Sequence, residues 1–301
     1  MFSVRDVSHK YEKSVNLGLI TLDDQQTQRI QEICLNMYKD ILAVCKKKNL
    51  TVILGGGSAL GAVRHKGLIP WDDDIDLMMP RKDFNTFMDI FDSELGEKYY
   101  IACPHKRYST QYNYIVKVID KDTICEDLFE KRKLFHQGIA IDIGAIDYVP
   151  DASFLYHIKG WISIVLLFII NSNMMYHCKT KLSDTIFTQS SWMSIYYYSR
   201  LFIGLLSSLF PYYFWTSLFD NFIASSRQTS RMSIPSGRNH YFKETKPANV
   251  FLPPKEIVFE DTKGYIPNDV NEYLKGLYGE NYMVIPPEDK REKHICSKLK
   301  I

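Results

Sequence analysis

Charge imbalance is almost absent from this chain: 37 lysines and arginines against 35 aspartates and glutamates leave a net charge of +2 over 301 residues. No lysine- or arginine-rich tract stands out, so the electrostatic footprint of a nucleic-acid-binding protein is missing. Cysteine pairs are missing too. Cys34, Cys45, Cys103, Cys125, Cys178 and Cys296 are scattered without a CxxC spacing, which disfavours structural zinc and fits free thiols of a reducing compartment. Eight histidines show no HExxH or paired metal spacing, and no Ser/His/Asp or Cys/His arrangement can be argued, so hydrolase chemistry is a poor reading. Residues 1–13 are polar and charged and lack the apolar core of a secretion signal, so cytoplasmic residence is the expectation. Internal repeats and low-complexity linkers are absent as well. What remains is 46% apolar and 24% charged residues, the composition of a folded protein long enough for one large or two small domains.

The first half alternates helix and strand signals. Residues Leu22 to Lys48 read as a long amphipathic helix, with Ile30, Ile33, Met37, Ile41 and Val44 at helical spacing. Asp23 and Asp24 fall in its first turn and Lys46, Lys47 and Lys48 at its end, where the helix dipole favours them. Thr51 to Leu54 reads as a short buried strand stopped by Gly55-Gly56-Gly57, and Ser58 is placed to cap a short helix running to about Arg64. Ile75 to Met79 reads as a second strand. Pro80 then leads into a helix carrying Phe84, Phe87, Met88 and Phe91 on one face, and Tyr114–Ile119 and Ile139–Ile143 read as further strands. Residues 1–150 are therefore expected to form an α+β core, a mixed β-sheet flanked by helices.

After Pro150 the composition changes. Neither Gly160–Tyr176 nor Leu201–Phe219 contains a charged side chain, and Tyr196, Tyr197, Tyr198, Tyr212, Tyr213 and Trp215 cluster around them. Two readings stand side by side: helices lying at a membrane interface, or a pair of core helices. Transmembrane spans rank behind both, because Asn171, Ser172 and Asn173 interrupt the first run and Pro211 the second. Residues 151–230 are thus expected to be a helical, aromatic-rich insertion. Residues 231–301 read as an irregular C-terminal segment packing back on the core, with a short extended piece at Ile257–Phe259 and one helix near Val270–Leu277.

The chemistry concentrates between Leu54 and Met79, where a glycine triplet is followed by Asp72, Asp73, Asp74 and Asp76. Four acids within five positions repel one another, and a cation that spreads their charge removes much of that penalty. In a strand, residues two apart share a face, so Asp74 and Asp76 point the same way while Ile75 and Leu77 enter the core. Two converging carboxylates suit Mg²⁺ or Mn²⁺ and leave positions for substrate phosphates; Asp72 and Asp73 support them from behind. Gly56, Gly57 and Ser58 place a flexible turn at a helix N-terminus, where backbone N–H groups attract anions. The pattern is neither the P-loop GxxxxGK[ST] nor GxGxxG. Arg64 either clamps a phosphate or pairs with an aspartate. Phosphoryl chemistry with two metals needs a third carboxylate. Asp142, in the apolar run Ile139–Ile143, is the first choice and Asp147 the second. Lys117 either reaches a phosphate or snorkels from an edge strand.

The segment Gly56–Pro80, with Gly61-Ala62-Val63-Arg64-His65-Lys66-Gly67, Ile69-Pro70-Trp71-Asp72-Asp73-Asp74-Ile75-Asp76 and Met79-Pro80-Arg81, resembles the signature of LicD-type proteins, bacterial phosphocholine transferases with fukutin-type transferases as distant relatives. The resemblance continues in residues 115–120 and 141–143 and resumes in Tyr278-Gly279, Pro286-Pro287 and Arg291, weakening between about 151 and 230. It implies a nucleotidyltransferase-like fold in which the glycine–serine turn, Asp74 and Asp76 face a CDP-linked donor and Asp142 supplies the third acid. One departure stands out: the family commonly continues its third motif as Asp-Ile-Phe-Pro-hydrophobic-Asp, and here it runs Asp142-Ile143-Gly144-Ala145-Ile146-Asp147. The implied activity is metal-dependent transfer of phosphocholine, or a similar group, from CDP-choline to a sugar hydroxyl of a cell-surface glycan such as teichoic acid, lipopolysaccharide or capsule. A lipid-linked acceptor would put the enzyme at the inner face of the cytoplasmic membrane, held there by the aromatic insertion. Two alternatives accompany this expectation: nucleotidyl transfer with release of pyrophosphate, and a non-catalytic, membrane-associated nucleotide-binding protein.

Overall fold

The computed structural model describes residues 20–104, 114–127, 137–188, 190–291 and 295–301; the polar residues 1–13 lie outside them. A two-residue strand β1 (Ile20–Thr21) precedes α1 (Asp24–Lys48). Asp23 is the cap of α1 rather than part of its first turn: its carboxylate accepts from the Gln26 N–H and the Gln26 side chain accepts from its own N–H, a reciprocal pair that fixes the helix start. Then follow β2 (Ile53–Leu54), α2 (Gly56–His65), β3 (Ile75–Pro80), α3 (Arg81–Glu94), β4 (Tyr99–Ala102), β5 (Val116–Asp120), β6 (Ile124–Asp127) and β7 (Ala140–Val149). The apolar faces read from the sequence are the ones that pack: Ile30, Met37 and Ile41 of α1 and Phe84, Phe87, Met88 and Phe91 of α3 are all buried.

The main sheet has the order β2-β3-β7-β5-β4. β3 and β7 run parallel, and the other pairs along this path are antiparallel, so the sheet is mixed as expected. α1 and α3 both pack against β3 and β7. The central strands are buried between helices and neighbouring strands and accordingly read as apolar runs broken by single acids.

Residues 151–230 are helical as expected: α4 (Ser153–His177), α5 (Lys181–Phe187), α6 (Ser191–Ser207) and α7 (Tyr212–Ile223). Pro211 caps the start of α7, and α6 and α7 meet at an angle of 93°. One buried charge network fastens this unit to the sheet. Arg81, at the first position of α3, donates from Nε and Nη2 to the two oxygens of Asp147 on β7 at 2.7 and 2.6 Å, and from Nη1 to Asp220 of α7 at 2.8 Å. Asp147 is therefore not a spare catalytic acid. An odd number of positions from Asp142 along β7, it points to the opposite, core side and is wholly buried against Arg81.

The C-terminal segment is more regular than its proline and turn content suggested. β8 (Arg231–Ser233) extends the main sheet by pairing with β7, followed by α8 (His240–Glu244), β9 (Lys246–Pro247) and α9 (Ala248–Phe251). The extended piece at Ile257–Phe259 is one arm of a hairpin, β10 (Lys255–Phe259) and β11 (Thr262–Ile266), with Glu260 at a positive φ of 53° in its turn. α10 (Val270–Tyr278) is capped by Asp269, and β12 (Ile295–Lys300) pairs with both β1 and β6. Such pairings join segments hundreds of residues apart and leave no local pattern to read. All six cysteines are free, and five of them are buried.

Candidate functional site

Sheet register assembles the first part of the site. Asp76 of β3 stands beside Asp142 of β7, and Asp142 beside Lys117 of β5. Cross-strand partners project to the same face, so the three form one row, while Ile75, Leu77, Ile141, Ile143, Val116 and Val118 fill the core on the other side. Lys117 donates to both Asp142 oxygens, at 2.9 and 3.1 Å. Its strand lies between β7 and β4, so the edge-strand reading of Lys117 does not hold.

The glycine turn comes up against this row. The Gly55 N–H donates to the Asp76 carbonyl at 2.9 Å, and the Asp76 N–H donates to the Ser58 hydroxyl at 2.8 Å. Ser58 does not cap the helix, as the sequence suggested. Glycine at the first helical position lets α2 begin three residues earlier, with Gly55 as its cap, and the buried Ser58 hydroxyl turns to strand β3 instead. Gly56 has φ +43°, and a Cβ there would lie 2.7 Å from an Asp76 carboxylate oxygen; one on Gly57 would lie 3.0 Å from an Asp72 oxygen. Both glycines are thus places where the backbone passes directly over a carboxylate. The first-turn amides of a helix have no intrahelical partner and carry the positive end of its dipole. Carboxylates and anion-binding amides therefore share one small volume. Gly56→Ala is expected to cost about 1–3 kcal/mol through the left-handed φ and the contact with Asp76. Thermal unfolding, with a fall in Tm of several degrees, checks it.

The acids themselves behave as a crowded set. Burial first, and then the charges of Asp74, Asp73 and Asp76, push the Asp72 carboxyl up to about 9, and it hydrogen-bonds Asp74. At neutral pH Asp72 keeps its proton, which is how the cluster relieves its repulsion when no cation is bound.

Residues from the C-terminal half complete the walls, and the sequence reading missed their role. The Tyr273 hydroxyl of α10 accepts from the Gly56 N–H at 3.1 Å and holds the turn from a fully packed position. Burial and the charges of Asp76, Asp72 and Asp74 raise the Tyr278 phenol well above its ordinary value, so it stays protonated beside the acids. Of the two expectations for Arg64, the pairing with an aspartate is not the one its hydrogen bonds follow. Its guanidinium donates to the Tyr282 carbonyl at 3.1 Å and to His65 at 2.9 Å. The Trp71 ring, next to the acid run, has the Arg291 guanidinium 4.2 Å from its centroid. Only Tyr278 and Arg291 had left a trace in the sequence, as part of the family resemblance.

Among the described residues, no group of three His, Cys, Asp or Glu side chains is gathered tightly enough to hold a metal. Asp142 is not drawn into one cluster with Asp74 and Asp76; Lys117 neutralises it instead. The donor set nevertheless fits Mg²⁺ or Mn²⁺ in the manner usual for phosphate enzymes, where one or two carboxylates share the ion with substrate phosphates and water. All its ligand atoms are hard oxygens, and the upward push of its neighbours on the Asp72 carboxyl marks where positive charge is wanted.

Comparison with known proteins places these residues in context. Residues 49–138 match the family model described as LicD/FKTN/FKRP, nucleotidyltransferase domain. The matched segment contains the glycine turn, all four aspartates and Lys117, and ends just before β7. The chain is 33% identical over 132 residues to the lipopolysaccharide cholinephosphotransferase LicD of Haemophilus influenzae, covering 44% of this chain and 46% of that protein. An uncharacterized protein of Rickettsia prowazekii is 28% identical over 144 residues, covering 46% of this chain and 50% of its own length. One of Rickettsia typhi is 34% identical over 97 residues, covering 28% and 31%. The chain spans about half the length of these curated relatives or less.

Proposed function

We propose that the protein, whose residues 49–138 match the LicD/FKTN/FKRP model, is a phosphotransferase that moves phosphocholine, or a closely similar phospho-substituent, from a CDP-linked donor to a sugar hydroxyl of a cell-surface glycan. The observation that carries this reading is the meeting of anion-binding amides and carboxylates at one point, Gly56 and Gly57 passing directly over Asp76 and Asp72. A nucleoside diphosphate needs both.

In this reading Asp74 and Asp76 hold Mg²⁺ or Mn²⁺, which supplies Lewis-acid neutralisation of the donor's diphosphate when bound. The amides of Gly57 and Ser58 orient the phosphates. The acceptor hydroxyl attacks the choline-bearing phosphorus, a new P–O bond forms, and the bond to the CMP oxygen breaks, with both electrons leaving on CMP. Asp142 takes the proton of the attacking hydroxyl. Lys117, held against both its oxygens, keeps that carboxylate in place until the hydroxyl arrives, and then neutralises the phosphate charge that develops. Arg64 and Arg291 bring two guanidinium groups to the mouth of the site around Trp71. The acceptor named for the Haemophilus relative is lipopolysaccharide; a lipid-linked glycan precursor at the inner face of the cytoplasmic membrane suits this chain.

The decisive experiment incubates the purified chain with Mg²⁺ and a panel of CDP-linked donors, with and without glycan precursor, and identifies the released species. CMP from CDP-choline supports the proposal. The family description favours one other chemistry, nucleotidyl transfer, which releases pyrophosphate from a nucleoside triphosphate instead. Pyrophosphate as product, with CDP-choline left intact, overturns phosphocholine transfer and establishes that alternative.

A further inference from the structure

The helices of the insertion bury polar side chains beside a small apolar core. On α4, α6 and α7 the inward faces carry Leu166, Leu167, Ile170, Leu201 and Phe219, and with them an unusual set of polar groups. Ser163, Ser172, Asn173 and Thr216 are fully buried, and Arg200 and Ser207 nearly so. Two hydrogen bonds join α4 and α6 among them: Arg200 donates to Ser172 at 3.0 Å and Asn173 to Ser207 at 3.0 Å, while Arg200 also donates to the Tyr196 hydroxyl of its own helix at 2.9 Å. Gly204 lets α6 close directly onto the Ser172 backbone of α4. Outward, the same helices present large apolar side chains. Phe154 is 75% exposed and Trp192 71%, with Trp161, Ile195 and Phe202 close behind, and Leu209 in the turn between α6 and α7 is 81% exposed. On α4 the exposed Phe154, Ile158, Trp161 and Val165 follow one helical stripe. Water selects the reverse arrangement. Small residues and hydrogen bonds between helices, with bulky apolar groups facing out, are the arrangement lipid selects.

We infer that the outward faces of α4, α6 and α7 are a membrane-docking surface that sinks into one leaflet of an anionic bilayer without crossing it. Three observations choose this occupant. The first is the pairing of buried polar groups between the helices with a wide apolar face turned outward. The second is charge: besides the buried Arg200, residues 153 to 219 carry three cations, Lys159, Lys179 and Lys181, against the single acid Asp184, a balance that complements a negatively charged leaflet. Third, exposed tryptophan and tyrosine (Trp161, Trp192, Tyr198) are the side chains that settle at headgroup depth.

Lying flat rather than spanning follows from how the unit is tied down. α4 has 25 residues and the apolarity to cross a bilayer, yet its first turns pack on Tyr241 and Phe242, with Tyr156 5.3 Å and Trp161 5.5 Å from those rings. Further along, Leu166, Leu167 and Ile170 pack on Phe219 and Ile223 of α7, itself pinned to the sheet through Asp220. α6 and α7 cannot form one straight span across their 93° bend. The inference stands independently of the transferase reading.

Flotation of the full chain with vesicles of phosphatidylcholine and phosphatidylglycerol tests it, together with tryptophan quenching by lipids brominated at shallow or deep acyl positions. The expected results are co-flotation that strengthens with the anionic lipid, and quenching by shallow bromines that is lost in Trp161→Phe/Trp192→Phe. Trp192→Glu/Leu209→Glu, both at exposed positions, should weaken partitioning at least about tenfold. Quenching by deep bromines alone would mean a span and would overturn the one-leaflet arrangement. No co-flotation, or a chain that self-associates through this face and shields Trp192 from every brominated lipid, would overturn membrane docking. None of these readouts depends on activity.

Discussion

Asp76→Asn, and equally Asp74→Asn, is expected to lower metal-dependent CMP release from CDP-choline by 10²-fold or more, a loss of at least about 2.7 kcal/mol of transition-state stabilisation. The expectation rests on position. Asp76 lies where three arrangements coincide: the row it forms with Asp142 and Lys117, the backbone hydrogen bonds from Gly55 to its carbonyl and from its own N–H to Ser58, and the contact of its carboxylate with Gly56. Asparagine keeps the shape and both backbone bonds, so the fold should survive and only the charge is lost. Asp72→Asn provides the contrast. It supports the ligand carboxylates rather than holding the ion in this reading, so the amide keeps its shape and hydrogen bonding and the loss should stay below about tenfold. Initial rates at saturating donor, with unfolding curves to show that each variant is folded, check both. Full activity in Asp74→Asn or Asp76→Asn would sink the proposed site.

The second large effect concerns stability. Arg81 is buried with three hydrogen bonds to two buried carboxylates, Asp147 and Asp220. Removing it in Arg81→Ala leaves two acids in the interior with no guanidinium partner, and breaking a buried pair in this way costs about 3–5 kcal/mol. A fall in Tm on the order of 10 °C is expected. The triple variant Arg81→Met/Asp147→Leu/Asp220→Leu, which removes all the charges together, should recover most of that loss, since apolar replacement of a whole buried ion network is often neutral. Calorimetry on both variants distinguishes a charge network from simple packing; equal losses in the two would argue for packing.

How much of this was legible in the sequence follows the range of the interactions. Period-two alternation around Asp74-Ile75-Asp76 predicted which side chains enter the core, and Ile75 and Leu77 are buried as it required. The apolar stripes of α1 and α3 were equally readable, because helical periodicity is local. Ser58 was misread because capping depends on where a helix starts, and a glycine at the first helical position moved that start. Asp147 resembled a catalytic acid as long as its partner, 66 residues away in Arg81, was unknown. The neutralisation of Asp142 by Lys117 depends on strand register, which no single segment encodes. Tyr273 and Tyr278 were lost among 20 tyrosines, with nothing local to separate wall from core.

The hydrogen bond from Gly56 to Tyr273 joins residues 217 positions apart. On a ribosome adding about 5–20 residues per second, roughly 10–40 s separate the emergence of the glycine turn from that of the tyrosine that holds it. Through that interval the nascent chain carries its acid cluster without its final clasp. The site is therefore among the last parts of the molecule to be completed, and any ligand bound before then would meet a turn free to give way.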